Sequence, residues 1–90
     1  MNKAELTARV ARDTRMTKVQ AARVIDSLLD HITRTLKKGE RTSLVGFGTF
    51  TIARRKARTG RNPQTGSPIQ IPARRVVRFT SGKMLKSEIR

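Results

Sequence analysis

The residues with the clearest chemical role in this chain are its cations, which are concentrated in residues 53–79. Eight lysine and arginine side chains lie in this segment: Arg54, Arg55, Lys56, Arg58, Arg61, Arg74, Arg75 and Arg78. Between Glu40 and Glu88 the chain has eleven lysine or arginine residues and no acidic residue. Because unpaired like charges repel one another and destabilise a compact state, this pattern predicts a strongly anionic partner.

Two extended segments joined by a polar turn would position these cations. In an extended chain, side chains two residues apart lie on the same face. The outgoing segment therefore has a face that begins apolar and becomes cationic, through Phe50, Ile52, Arg54, Lys56 and Arg58. The return segment has the reverse order, from Ile69, Ile71 and Pro72 through Arg74 and Arg75 to Val76, Val77 and Phe79. This order is typical of two strands that leave an apolar core and enter solvent.

The polar turn between the two segments is predicted at residues 60–68, where Pro63 occupies a favoured turn position. We therefore predict a two-stranded arm over residues 53–76 that binds DNA. Residues 1–52 and 77–90 would form the body that folds and dimerises.

The composition restricts the class of partner. A net charge of +15 on 90 residues indicates one small domain that binds nucleic acid or an anionic membrane surface. No apolar run approaches the roughly 20 residues of a membrane-spanning helix, and there is no Trp or Tyr for an interfacial belt. Lys3 and Glu5 lie where a signal peptide needs apolar residues, which favours a cytosolic protein without a membrane partner.

The sequence offers little for catalysis or metal binding. There is no Cys, and His31 has no second His or paired carboxylate in register with it. The acidic residues are scattered over the predicted helices and are interpreted as surface partners of the cations. No glycine-rich phosphate loop or nucleophile elbow is present. We therefore predict a protein that is not an enzyme and uses no cofactor or metal.

Two capping patterns predict an antiparallel helical hairpin in the first forty residues. Asn2 with Glu5 predicts a helix that begins near Lys3 and ends near Thr14, and Thr17 with Gln20 predicts the start of a longer helix. The apolar positions of the second helix are spaced by three and four residues, which places them on one face. They are Ala21, Ile25, Leu28, Leu29, Ile32 and Leu36. After Lys37 and Lys38, Gly39 suits the left-handed position that ends a helix.

The remaining elements complete an α+β prediction. A short strand around Thr42 and Leu44 is followed by a tight turn at 46–48 and a strand over 49–58. Ser81 is predicted to cap a final short helix near residues 82–89, with Leu85 and Ile89 facing inward. The fold class is a helical hairpin base, a three-stranded antiparallel sheet that extends into the arm, and a short C-terminal helix. A body of about 64 residues is marginal alone, and oligomerisation is a common remedy.

Three groups of residues carry a resemblance to a known family over essentially the whole chain. They are Gly46-Phe47-Gly48-Thr49-Phe50, then Arg55, Arg58 and Gly60-Arg61-Asn62-Pro63-Gln64-Thr65-Gly66, and finally Gly82-Lys83-Met84-Leu85-Lys86. With these motifs the chain resembles the bacterial histone-like HU and integration host factor family. The resemblance implies an intertwined dimer with an α-helical base and two β-arms that wrap the minor groove and bend the duplex.

The resemblance also implies residue roles. Pro63 would be the wedge that intercalates between base pairs, flanked by Arg61 and Asn62, while Arg55 and Arg58 would line the arm. Lys3, Lys83 and Lys86 would contact the flanking phosphates. The other predicted DNA-binding residues are the neighbouring arm cations Arg54, Lys56, Arg74 and Arg75. The predicted dimer core consists of Phe47, Phe50, Phe79, Leu29, Ile32, Leu36 and Leu44.

Within this family, the choice between an HU-like protein and a host factor subunit stays open, as does the choice between a homodimer and a heterodimer. Val45 stands where one host factor subunit typically has an arginine that reads the groove, and the N-terminal half looks like HU. Both features favour HU. Against this, Ala73-Arg74-Arg75-Val76-Val77 looks more like the other host factor subunit. The prediction is an HU-like architectural protein with little sequence specificity and a preference for bent, nicked or distorted duplex DNA. A sequence-preferring host-factor-like subunit is the alternative. The dimer is predicted as a homodimer, and a heterodimer is compatible with the sequence.

Two further functions compete with this one. Basic hairpin extensions also suit a small protein that binds structured RNA, but three aromatic residues are few for stacking on single strands. Structured RNA remains compatible as a secondary partner. The helical pair alone suggests a helix-turn-helix, but the second helix is too long and its apolar face too continuous for a groove reader. A nucleoid-associated protein of the cytoplasm is the resulting expectation.

Overall fold

A computed structural model describes all residues, 1–90, and contains three helices and five strands. The helices are α1 (Lys3–Thr14), α2 (Lys18–Lys37) and α3 (Lys83–Ile89). The strands are β1 (Thr42–Leu44), β2 (Gly48–Arg55), β3 (Arg58–Arg61), β4 (Pro68–Ile71) and β5 (Arg74–Ser81). The chain divides into two compact units, residues 1–34 and 35–90.

Both predicted helix starts are confirmed by capping hydrogen bonds. The backbone N–H of Glu5 donates to Oδ1 of Asn2 at 2.8 Å. At the start of α2 the bonds are reciprocal: the N–H of Gln20 donates to Oγ1 of Thr17 at 3.1 Å, and the N–H of Thr17 donates to Oε1 of Gln20 at 3.0 Å. Each bond satisfies a backbone donor that the first helical turn leaves without a partner.

The two helices end with the same backbone motif. Gly39 has φ +80°, and its N–H donates to the carbonyl of Leu36, which confirms the predicted end of α2. At the end of α1, Arg15 takes the left-handed conformation with φ +58°, and the N–H of Met16 donates to the carbonyl of Ala11. A non-glycine residue is uncommon in this conformation, and the short connection that follows α1 depends on it.

The predicted apolar face of α2 exists, but a single chain covers only part of it. Ala21, Ile25 and Leu36 are buried, whereas Leu28 and Leu29 are 51% and 46% exposed. Ala11 of α1 is the only other buried hydrophobic residue. The spacing of the apolar residues fixes which face of the helix is apolar, but it does not say what covers that face.

The second unit contains an antiparallel sheet with the strand order β1-β2-β5. The turn between β1 and β2 is closed by the N–H of Phe47, which donates to the carbonyl of Leu44 at 2.9 Å. Gly46 has φ +83°, as a type II turn requires at its third residue. The β2–β5 ladder runs from the pair Gly48 and Ser81 to the pair Arg55 and Arg74.

The predicted continuous strand over residues 49–58 is wrong, because β2 ends at Arg55 and a separate strand, β3, begins at Arg58. The return strand is interrupted at the same level, between β4 and β5, by Pro72 and Ala73. Proline has no N–H to give to a ladder, which accounts for the interruption. Arg58 pairs with Ile71, so the gap spans two residues on each strand and the register is unchanged across it.

The turn at the end of the hairpin is shorter than the predicted 60–68. Gly60 and Arg61 belong to β3, and Pro68 is the first residue of β4 and pairs with Arg61. Proline is tolerated at the first position of a strand. The connection therefore consists of residues 62–67.

The C-terminal helix is present, but two predictions about it are wrong. Its N-cap is Gly82, which supplies no side-chain hydrogen bond, and Ser81 is the last residue of β5 rather than the cap. Leu85 is half-buried as expected, whereas Ile89 is 75% exposed. A helix of seven residues depends on packing for its stability, and Ile89 does not contribute to that packing within one chain.

The close approach of Gly48 to β5 gives a test of this packing. A Cβ atom on Gly48 would lie 2.5 Å from Cζ of Phe79 and 2.7 Å from the carbonyl oxygen of Thr80. We expect Gly48→Ala to lower the free energy of unfolding by about 1–3 kcal/mol, because one obstructing atom is a backbone oxygen rather than the end of a flexible side chain. Ser43→Ala removes only a long, exposed hydrogen bond that the Thr49 hydroxyl donates to Oγ of Ser43 at 3.3 Å, and it should stay within about 0.5 kcal/mol of the wild type. Urea denaturation of both variants measures the difference, and a fully stable Gly48→Ala variant would contradict the packing described.

Candidate nucleic-acid interface

The inner part of the hairpin brings arginine residues directly opposite one another. In the β2–β5 register, Arg54 pairs with Arg75 and Arg55 pairs with Arg74. Like charges that are directly opposite on neighbouring strands are destabilising. Because side chains alternate along a strand, one pair lies on each face of the ribbon.

No carboxylate relieves this repulsion. The ion pairs between basic residues and aspartate lie elsewhere in the chain, among residues 3–34: Lys3–Asp26, Arg34–Asp30 and Arg12–Asp13. All four arginine residues of the two cross-strand pairs are exposed. The result is a surface whose cations are available to an external anion.

The outer part of the hairpin continues the basic surface. Lys56 lies in the gap between β2 and β3, and Arg58 and Arg61 lie on β3, all of them exposed. Arg58 and Arg61 are three residues apart on one strand and therefore point to opposite faces. The structure thus places cations on both faces from the root of the hairpin to its tip.

The tip is organised around Asn62. Its N–H donates to the carbonyl of Ser67 at 2.8 Å, and its carbonyl accepts from the N–H of Gly66 at 2.7 Å. Its side-chain Oδ1 accepts from the N–H of Gln64 at 2.9 Å, which forms an Asx turn around Pro63. Three hydrogen bonds of one residue therefore hold the proline at the exposed end of the ribbon.

This structural use of Asn62 was missed in the sequence, where the residue was predicted only as a flank of the wedge. The Asn-Pro dipeptide followed by Gly66 is a recognised turn signal that indicates such a role. Gly66 has φ +73°, which closes the turn before β4.

Arg75 differs from the other arginine residues at the root of the hairpin. Its Nη2 donates to the carbonyl oxygens of Leu36 at 2.8 Å and of Lys37 at 2.9 Å, at the C-terminal end of α2. Sequence reasoning placed Arg75 among the DNA-binding cations and had no signal for this contact, since the partners are 38 and 39 residues away along the chain.

The three predicted cations outside the arm have different environments. Nζ of Lys3 lies 2.6 Å from Oδ1 of Asp26, so this ammonium group already has a partner within the chain. Lys83 and Lys86 are exposed on α3. They are three residues apart on a helix and therefore lie on the same side of it.

The predicted dimer-core residues are largely uncovered within one chain. The rings of Phe47, Phe50 and Phe79 form a cluster, with centroids 5.5 Å apart for Phe47 and Phe79 and 4.9 Å apart for Phe50 and Phe79. Phe47 and Phe79 nevertheless remain 47% and 44% exposed. Leu29 is also exposed, Ile32 and Leu44 are half-buried, and Leu36 is buried.

The acidic residues and the single histidine are the remaining candidates for metal ligands. No group of three His, Cys, Asp or Glu residues is arranged so that it could hold a metal ion. None of the helices is both long and apolar enough to cross a bilayer. The fold and the exposed basic ribbon define a small basic protein whose main functional surface suits a polyanion.

Comparison with known proteins identifies the family. The chain belongs to the family described as bacterial DNA-binding protein, whose model matches residues 1–90. It is 50% identical over 90 residues to the DNA-binding protein HU of Haemophilus influenzae, with all of both chains covered. It is 49% identical over 90 residues to the DNA-binding protein HU of Buchnera aphidicola, covering all of this chain and 98% of the relative. A cocrystal structure of Anabaena HU with DNA is 43% identical, with a TM-score of 0.92, and the match covers 99% of this chain and 97% of the other.

The role of the Asn62 side chain in the turn can be tested by substitution. We expect Asn62→Ala to remove the Asx turn, so that the amide protons of Gln64 and Gly66 exchange faster than in the wild type. Asn62→Asp keeps an oxygen acceptor in the same place and should keep the slow exchange at Gln64. Amide hydrogen exchange followed by NMR measures both variants. Equal exchange in Asn62→Ala and the wild type would show that the turn does not depend on this side chain.

Proposed function

We propose that this protein is an architectural DNA-binding protein that binds duplex DNA through the minor groove with two β-arms and bends it. The observation that carries this proposal is the pairing of arginine residues across β2 and β5 with no acidic residue between Glu40 and Glu88. Phosphates of a double helix are the counterions that such a surface lacks. Membership of the bacterial DNA-binding protein family and the likeness to an HU–DNA complex support duplex DNA as the polyanion.

We assign different roles to the arm and to the body of the chain. Residues 53–76 form the arm, and residues 1–52 and 77–90 form the body that folds and dimerises. On the arm, Arg54, Arg55, Lys56, Arg58, Arg61 and Arg74 contact phosphates and groove walls. Lys83 and Lys86 on α3 contact the flanking backbone, and Lys3 joins them when it exchanges Asp26 for a phosphate.

Pro63 is the proposed wedge. It lies exposed at the tip of the ribbon, where the hydrogen bonds of Asn62 hold it. A proline ring has no N–H and can replace a stacked base neighbour without requiring a hydrogen bond. Unstacking a base step costs a few kcal/mol, which the additional contacts of bent DNA offset.

Little sequence specificity follows from the same surface. Contacts from arginine and lysine to phosphate position a protein on DNA but carry no direct sequence information. Val45, at the turn between β1 and β2, is 99% exposed and has no hydrogen-bonding side chain for a base edge. Nicked or distorted duplexes are the preferred ligands, because less unstacking energy is required of them. A nucleoid-associated location in the cytoplasm and the absence of an enzymatic role belong to this proposal.

The proposed functional unit is a homodimer. Two arms on one duplex require two chains, and Leu29, Phe47 and Phe79 are large apolar residues that one chain leaves 44–47% exposed. A small domain that buries so few large side chains is marginal unless a second subunit covers them.

The dimer is tested by sedimentation equilibrium. We expect a particle with twice the 10.1 kDa chain mass at micromolar concentration. Phe79→Asp should weaken the association, because it places a charge in the covered surface. Val45→Asp introduces the same charge at a fully exposed turn and should leave the mass unchanged. A wild-type protein that sediments at 10.1 kDa would refute the dimer.

Salt dependence tests the phosphate contacts. If a dimer neutralises on the order of 8 to 12 phosphates, the logarithm of the association constant should fall with the logarithm of salt concentration with a slope of about −7 to −11. Arg58→Ala removes one phosphate contact from each arm and should make the slope shallower by about 2. Arg34→Ala, which removes a cation paired with Asp30, is the matched control and should leave the slope unchanged. A shallow slope for the wild type would exclude the proposed mode of binding.

Pro63→Ala tests the wedge. We expect the variant to lose most of the bending and most of the preference for nicked over intact duplexes, while its salt slope stays that of the wild type. Energy transfer between dyes at the two ends of a short duplex measures the bend, and titrations of matched intact and nicked duplexes measure the preference. Competition with structured RNA of equal charge shows whether the ligand is duplex DNA in particular. Unchanged bending by Pro63→Ala would remove the wedge role.

A further inference from the structure

Arg75 is the one cation at the root of the arm whose guanidinium already has partners within the chain. Its Nη2 lies 2.8 Å from the carbonyl oxygen of Leu36 and 2.9 Å from that of Lys37. We propose that Arg75 is a positioning residue: it fastens β5 to the C-terminal end of α2 and so fixes the direction in which the arm leaves the body, and it does not neutralise a DNA phosphate. This inference rests on the proposed function.

The chemistry of the helix end favours this contact. The last carbonyl groups of a helix lack partners within it and carry a partial negative charge. At this end, the N–H groups of Gly39 and Glu40 bond to the carbonyls of Leu36 and Thr35. Arg75 provides the donor for the carbonyl of Lys37 and a second donor for that of Leu36. Hydrogen bonds from a charged donor are stronger than neutral ones, and the Leu36 bond is partly buried.

The strand register gives a second reason. Arg75 lies directly opposite Arg54 on β2, where two free guanidinium groups would repel each other. By reaching to the carbonyls of α2, the guanidinium of Arg75 gains partial negative charges close by. Arg54 then remains as the member of the pair that is available to an external phosphate.

Arg74 provides a matched comparison within the same chain. It is the neighbouring residue on β5, lies opposite Arg55 and is exposed, and its guanidinium makes no hydrogen bond or ion pair within the chain. The two residues have the same side chain and adjacent positions on β5, and they differ in the contact with α2. Substitutions at the two positions therefore separate a cation that binds phosphate from a cation that positions the strand.

The inferred consequence concerns the geometry of the arm. A ribbon of two strands is marginally stable alone, so its direction depends on what holds its base. The Arg75 contact joins the ribbon to Leu36 and Lys37, the last two residues of α2, close to the gap at residues 72–73. Loss of this contact should leave the arm able to bind phosphates but unable to hold the duplex in a bent path.

The experiment compares Arg75→Ala, Arg75→Gln and Arg74→Ala in the full-length protein, with a short duplex labelled at both ends. For both Arg75 variants we expect a salt slope within about 0.5 of the wild type, together with a loss of energy transfer at saturation that is larger for Ala than for Gln. Gln is neutral but keeps an amide that can donate to a carbonyl. For Arg74→Ala we expect bending close to that of the wild type and a slope shallower by about 2, one phosphate for each of two arms. Thermal unfolding sets the working temperature, at which all four proteins are folded.

Three results would overturn the inference. The first is a salt slope that becomes shallower by about 2 in both Arg75 variants, as expected of a phosphate contact. The second is normal bending at saturation by a folded Arg75→Ala, which would make the contact one of stability alone. The third result applies if Arg75→Ala does not fold. In that case, the inference fails if the neutral Arg75→Gln bends the duplex as the wild type does and has a shallower salt slope than the wild type. Failure of the wild type to bend the duplex would instead refute the proposed function, so the two failures are distinguishable.

Discussion

Electrostatic repulsion between the two strands of the ribbon is the constraint on which the rest of this structure depends. Arg54 and Arg55 face Arg75 and Arg74 across an antiparallel ladder, and no acidic side chain lies in the surrounding sequence. In isolation such pairs destabilise the ribbon. The fold keeps them together from the inner end, where the ladder continues into the sheet and Phe50 packs on Phe79 at 4.9 Å. Apolar packing at one end therefore maintains a charge distribution that the outer end could not maintain alone.

The ribbon is also shaped by three positions at which backbone chemistry matters more than charge. Pro72 removes a ladder donor and separates β4 from β5 without shifting the register, so the cations keep their alternation on both sides of the gap. Asn62 closes the tip with hydrogen bonds from its backbone and its side chain. Gly48 lets β5 approach so closely that a Cβ atom would overlap the Phe79 ring. The same segment thus combines a rigid base, an interrupted middle and a closed tip.

Within one chain, both the apolar surface and the basic surface lack a partner. One chain buries only Ala11, Ala21, Ile25 and Leu36 among its hydrophobic residues, and it leaves its arm cations without anions. In the proposed assembly a second chain covers the apolar faces and DNA neutralises the arms. Added salt weakens phosphate binding, whereas it does not weaken hydrophobic burial and some salts strengthen it, so folding and binding respond differently to the same solution conditions.

Much of the fold was predictable, because helix caps and turns are encoded by residues close together in the sequence. The caps at Asn2 and Thr17, the glycine end of α2 and the turn before β2 all depend on neighbours within about five positions. The basic arm and its proline tip were also visible in the order of residue types. The interruption at Pro72 and the Gly82 cap of α3 were missed, although Pro72 itself carried a signal in its missing N–H.

The sequence by itself therefore determined the elements, the apolar faces and the concentration of positive charge. Only the tertiary structure decided which cations already have a partner within the chain: it places Lys3 beside Asp26 and Arg75 beside the carbonyl groups at the end of α2, whereas the guanidinium of Arg74 has no such partner. The physical reason is that an arginine has the same charge wherever it stands in the sequence. Its partner is set by the path that brings residues almost forty positions apart within hydrogen-bonding distance, and no local pattern encodes that path.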